Sequence, residues 1–170
     1  ALFLVANIAF FFYLYYLYRL AKRDFDQGTA ERSVLYVAAF ALSFFFSSAY
    51  TESLMLALAT ASFYYAREGK WKIAIPLGFL TALTRLAGLA IMLPLAWEWY
   101  KQNGITLKAL FLLIVPSGLG IFMLYLWGLT GDPLAFNTVQ KAWTHTLTWP
   151  WGTWAIAWNL ITTLPVTRYI

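Results

Sequence analysis

Between Ala109 and Leu129 the chain reads ALFLLIVPSGLGIFMLYLWGL, without a charged side chain anywhere in the run. A helix rises 1.5 Å per residue and a bilayer core is about 30 Å thick, so this stretch is long enough to cross a membrane unaided. Ala1–Tyr18 meets the same requirement. The chain is 62% hydrophobic and 11% charged, against roughly 45–50% and about 25% in a soluble domain, which nearly excludes a water-soluble globule. The fold class that follows is all-α, a polytopic transmembrane helical bundle. There is no cysteine, so disulfides and thiolate metal sites drop out. The excess of 12 Lys+Arg over 7 Asp+Glu does not mark a nucleic-acid surface, because the positive charges punctuate apolar runs instead of sharing a soluble face.

Two apolar stretches fit no single span. Val34–Ala66 as one helix would be about 50 Å long, beyond any plausible tilt, and AYTES interrupts it. Ile73–Tyr100 would make about 42 Å, but it carries Thr84-Arg85 at its centre, and an arginine at mid-bilayer costs about 2.5–3.5 kcal/mol. Reading both as hairpins gives about seven spans: Ala1–Tyr18, Val34–Ser48, Ser53–Ala66, Ile73–Leu83, Leu86–Tyr100, Ala109–Leu129 and Thr153–Val166. Arg19, Lys22, Arg23, Arg32, Arg67, Lys70, Lys72, Lys101, Lys108 and Arg168 then lie on one side, and only Arg85 and Lys141 on the other. Positive residues collect on the cytoplasmic side, which orients the chain as a multi-pass integral membrane protein. It opens directly on an apolar run and ends without a polar tail, so residues 1–170 read as a single transmembrane domain internal to a longer protein.

This topology gathers the unusual polar residues on the extracytoplasmic face. Glu52 sits among the hydroxyls of Ser47, Ser48, Tyr50, Thr51 and Ser53, and Arg85 marks the second bend. Short spans sink both tips into the membrane, which implies a polar cleft within reach of lipid headgroups. Each residue also has a plainer role: Thr51 as an N-cap with Glu52 in the first turn, Arg85 snorkelling to headgroups, or the two as an architectural ion pair. In GDPLAFNTVQKAW, Gly131 ends one helix while Asp132 and Pro133 suit the N-cap and first position of the next. Leu134, Phe136, Val139 and Trp143 share a face opposite Asn137, Gln140, Lys141 and Thr144, as in a helix lying on a bilayer. His145 is the only histidine and, without partner ligands, is not a metal site.

The succession SFFFSSAYTESLMLALATASFYYAREGKW, LTALTRLAGLAIMLPLAWEW and GDPLAFNTVQKAW resembles the PIG-V-type mannosyltransferases and their bacterial relatives, multipass enzymes of the GT-C glycosyltransferase class. The likeness runs from about Asn7 to Trp143. Where the family often has proline, in FPTSFF and TRPTG, this chain has Ala41 and Leu86. The acidic residue that such enzymes carry in a WD…Y motif between their first two spans has no counterpart in these 170 residues, which places the main catalytic acid upstream of Ala1.

The resemblance implies transfer of a mannosyl or related hexosyl group from a polyprenyl-phosphate sugar to a lipid-linked acceptor, on the extracytoplasmic face of a bacterial plasma membrane, or of the endoplasmic reticulum in a eukaryote. The implied partners are that donor, the acceptor and membrane lipids, with no bound cofactor and no nucleic acid. Arg85 would neutralise the phosphate leaving group and Glu52 would orient Arg85 or act on the acceptor hydroxyl. Tyr50, Thr51, Ser53, Asp132, Gln140 and Trp143 would bind substrate. A multipass transporter or lipid flippase is the alternative, because broken helices with intramembrane charges also describe those proteins.

Overall fold

The computed structural model describes residues 2–40, 43–48, 50–136, 138 and 150–163. All secondary structure among them is helical, with no strand. Two units are distinct, Ala1–Tyr125 and Leu126–Ile170.

In the first unit, α1 (Leu2–Asp24), α4 (Glu52–Arg67) and α5 (Trp71–Thr84) pack side by side, with α2 (Gln27–Ala39), the single turn α3 (Phe44–Ser47) and α6 (Met92–Asn103) against them. Helix α7 (Ile114–Thr130) runs from this unit into the second, which also holds α8 (Pro150–Thr163). Two helical stretches are long and apolar enough to cross a membrane, Leu2–Asp24 and Leu107–Thr130. Their outward faces carry large apolar side chains, among them Phe3, Leu4, Phe11, Ile121 and Leu124, all about half exposed or more.

Small side chains make the close contacts. Ala6 and Ala9 of α1, Ala57 and Ala61 of α4 and Ala74 and Ala82 of α5 are buried, which lets helix backbones approach as they do in membrane bundles. Larger residues fill the centre, where Leu95 and Val115 are fully enclosed with Ile75, Trp99 and Leu112 around them. Gly118 of α7 comes so near α5 that a Cβ there would lie 2.5 Å from the Phe79 carbonyl oxygen.

One end of this unit is charged and cross-linked. Arg67 at the end of α4 pairs with Asp24 of α1 and, at 3.3 Å, with Glu98 of α6. Arg23 pairs with Glu68, and the Arg19 guanidinium lies 4.7 Å from the centre of the Tyr64 ring. Gln102 donates to Glu98 Oε1 and to the Ala66 carbonyl, both at 2.8 Å, and accepts from the Trp71 indole N–H at 3.2 Å. Asp24 and Glu98 hold the Arg67 guanidinium above its ordinary pKa despite partial desolvation.

The structure corrects four of the stretches read from sequence. The connection read between Tyr18 and Val34 is largely helix: α1 continues to Asp24, and Asp26 caps α2 by accepting from the Thr29 N–H at 3.0 Å, so that Glu31 and Arg32 are helical. Val34–Ser48 is not one span: α2 stops at Ala39, Phe40 is extended, and α3 follows as a separate turn. The stretches read as Leu86–Tyr100 and Ala109–Leu129 each begin as a 3₁₀ segment, Leu86–Ile91 and Leu107–Leu113, before continuing as α6 and α7.

Candidate functional site

At the opposite end of the first unit, α4 begins and α5 ends. Helix α5 ends at Arg85, which is extended, with φ −158° and ψ 152°, so the chain turns at the arginine. Glu52, in the first turn of α4, receives a hydrogen bond from Arg85 Nη1 in a direct ion pair. Both side chains are about a third exposed or slightly more, so the pair faces outward and is not sealed in the core.

Two polar atoms here lack partners. Glu52 Oε2 and Ser53 Oγ are enclosed and accept or donate no hydrogen bond among the described residues. An enclosed polar atom without a partner costs free energy; Arg67 Nε, at the charged end, is in the same condition.

The approach to Glu52 is fixed from α1. The Phe46 ring stacks on Phe10 with centroids 5.3 Å apart and meets Tyr13 edge-on at 6.0 Å, which docks α3. The Asn7 amide donates to the Phe3 carbonyl at 2.8 Å and to the Ser47 carbonyl at 3.3 Å, tying the chain just before YTES to the first helix. Asn7 was not among the residues singled out by sequence, although a lone amide inside an apolar span is itself a signal.

An apolar groove of about 290 Å³ runs along the same helices, lined by Val5, Phe12 and Tyr16 of α1, Leu54 and Leu58 of α4, and Leu77 of α5. Neither Glu52 nor Arg85 is among its lining residues, and Leu54, two positions after Glu52 on α4, points to nearly the opposite side of that helix.

The remaining sequence candidates fall in different places. Tyr50 is exposed, with its ring edge-on to Phe45 at 5.8 Å. Thr51 is also exposed but does not cap α4: its backbone is helical (φ −87°, ψ 0°) and its hydroxyl makes no cap bond, since capping requires an extended residue whose oxygen can reach forward. Ser53 is completely buried. In the second unit, Gly131 ends α7 at φ 72°, its N–H donating to the Trp127 carbonyl at 2.9 Å. Asp132 then accepts from the Leu134 N–H at 2.8 Å and from the Thr138 hydroxyl at 3.5 Å, so both of its oxygens serve the local turn. Gln140, Lys141, Trp143 and His145 lie outside the described residues. Among the described residues no three His, Asp or Glu side chains come together as a metal site.

Comparison with protein-family models, with curated proteins and with solved structures gave no match.

Proposed function

We propose that this chain is the membrane-embedded part of a glycosyltransferase that moves a mannosyl or related hexosyl group from a polyprenyl-phosphate carrier to a lipid-linked acceptor, as the resemblance to PIG-V-type GT-C enzymes suggests. The observation that carries the reading is the outward-facing Glu52–Arg85 pair, with an apolar groove along α1, α4 and α5 of the same unit. A polyprenyl phosphate needs both, a cation for its headgroup and a greasy channel for its chain.

In this reading the protein is a polytopic bundle of about seven apolar segments, with the Arg67 end at the cytoplasm and the Glu52 end outside. Helix α4 has 16 residues, about 24 Å at 1.5 Å per residue, which is shorter than the roughly 30 Å hydrocarbon core. The Glu52 tip is therefore sunk below the outer headgroups, where a lipid-borne phosphate arrives without leaving the bilayer. Arg85 neutralises the phosphate as the sugar departs, a charge preorganised by its pairing with Glu52. Glu52 fixes the guanidinium through Oε1, while the exposed Tyr50 serves the sugar hydroxyls; Ser53, completely buried, is out of their reach. The proton of the acceptor hydroxyl needs a carboxylate base, the role that the resemblance gives to the WD…Y motif, which these 170 residues do not contain.

The test is transfer from radiolabelled polyprenyl-phosphate hexose by the full-length protein in proteoliposomes. Arg85→Lys retains some turnover and Arg85→Ala nearly none while the protein still inserts; full activity in Arg85→Ala overturns the phosphate role. The break at Arg85 inside an apolar stretch favours a transporter as the second reading. Movement of labelled lipid between leaflets without glycosidic product in the same vesicles would select it.

A further inference from the structure

We infer that Gly88 is a positioning residue for Arg85. After Arg85 the chain folds back as the 3₁₀ turn Leu86–Ile91 and lies directly on the last turns of α5. A Cβ at Gly88 would stand 2.1 Å from the Thr81 carbonyl oxygen, 2.7 Å from the carbonyl carbon and 3.2 Å from Ala82 Cα. These are backbone atoms, which cannot swing aside as a side chain would. Thr81 is itself completely buried, and its carbonyl also accepts from the Thr84 hydroxyl at 2.7 Å. The turn is closed by the Gly88 N–H, which donates to the Arg85 carbonyl at 2.9 Å.

The contact therefore sets where Arg85 begins. Only two residues separate Gly88 from Arg85, both held in the tight turn, so any displacement of Gly88 is passed to the arginine. Relieving the overlap of an added methyl requires a shift of about 1 Å, a displacement that in a reacting site can cost on the order of a hundredfold in rate. Gly88 differs in this from Gly69, Gly104 and Gly131, whose backbones have positive φ. Its need is for space, not for an unusual dihedral.

This assignment rests on the reading of Arg85 as the phosphate-binding cation, but its test measures position and not turnover, so that failure of one is told from failure of the other. The chain has no cysteine, and Thr51→Cys with Leu86→Cys flanks the ion pair while leaving both charged residues in place. Cross-linking of this pair by a short bis-maleimide in membranes is compared in three backgrounds. Gly88→Ala is expected to lower the yield by about fivefold or more. Leu95→Ala, which loosens the core without touching the bend, is expected to lower thermal stability and leave the yield unchanged. Thr84→Val, which removes only the hydroxyl bond to the Thr81 carbonyl, is expected to lower the yield to a smaller degree, and it carries the test if Gly88→Ala does not accumulate in the membrane. An unchanged yield in Gly88→Ala, or in Thr84→Val where that variant carries the test, overturns the assignment. So does an equal loss in Leu95→Ala, which would mark general loosening.

Discussion

Arg67 Nη1 stands 3.3 Å from Glu98 Oε2, and the Glu98 side chain is only 8% exposed. Glu98 is thus an enclosed carboxylate whose oxygens are shared between an arginine from α4 and the Gln102 amide of its own helix. Breaking a buried pair from one side leaves a desolvated charge, at about 3–5 kcal/mol when both partners are fully buried. Arg67 keeps Asp24 and some solvent, so Glu98→Ala is expected to destabilise by about 2 kcal/mol. Glu98→Gln, which retains a hydrogen-bonding side chain, should lose less. Thermal unfolding in detergent measures both.

The α5–α7 contact admits no side chain at Gly118. Its added Cβ would meet the Phe79 carbonyl at 2.5 Å and the Leu83 nitrogen at 3.1 Å, whereas at Gly120 nothing lies within 4 Å. Gly118→Ala is expected to cost about 1–3 kcal/mol through forced separation of the two helices. Gly120→Ala on the same helix is expected to be neutral or to stabilise by up to about 1 kcal/mol from helix propensity alone. Equal melting temperatures for the two variants would refute the contact.

The Glu52–Arg85 pair separates stability from function. Because both partners are substantially exposed, their attraction contributes about 0–1 kcal/mol to folding. Glu52→Gln is therefore expected to melt close to the parent while transferring sugar markedly more slowly. An unchanged rate would leave Glu52 with only a structural part at the start of α4.

Acid should loosen α2 before the rest of the bundle. The Thr29 hydroxyl and N–H hold the Asp26 carboxyl below its ordinary value of 3.8. The folded value is thus lower than the unfolded one, so the cap's contribution is complete above about pH 4 and fades as pH falls through the folded value. Lower protection of the amides at residues 27–30, relative to their unstructured exchange rates, as pH falls below about 4, a pH dependence abolished in Asp26→Ala, is the expected signature.

Orientation is open to direct labelling, since every introduced cysteine is the only one. Gln27, Lys70 and Asn103 are all exposed at the charged end and Thr51 at the other. Lys70 is preferable to Gly69, whose φ of 71° would strain any side chain. An impermeant thiol reagent applied outside intact cells should reach Thr51→Cys and none of the other three. Labelling of those three instead would invert the topology.

The helical class was readable from sequence, and Leu2–Asp24 and Leu107–Thr130 announce themselves by apolar length. The turn at Arg85 and the stop at Gly131 were legible for local reasons, the cost of a charge within hydrocarbon and the left-handed backbone that glycine accepts. What escaped depends on distant partners. The Arg67–Glu98 pair joins residues 31 apart, and no spacing rule links them. Asn7 and Ser47 meet across 40 positions, and the demand for space at Gly88 comes into being only when its turn lies on Thr81. The start of α2 was missed for a different reason: Asp26 and Thr29 form a local cap, but the surrounding charges suggested a loop.

Alanine supplies most of the buried apolar positions among the described residues, and this makes mutational tolerance one-sided. A bundle centred on leucine fails when its side chains shrink and leave holes, yet here, away from the cluster around Leu95 and Val115, there is little left to remove. Enlargement is the damaging direction, because each added methylene must push two whole helices apart. Sequence drift in this protein is accordingly expected to run freely across the bulky residues of its outer faces and to stall at its smallest ones.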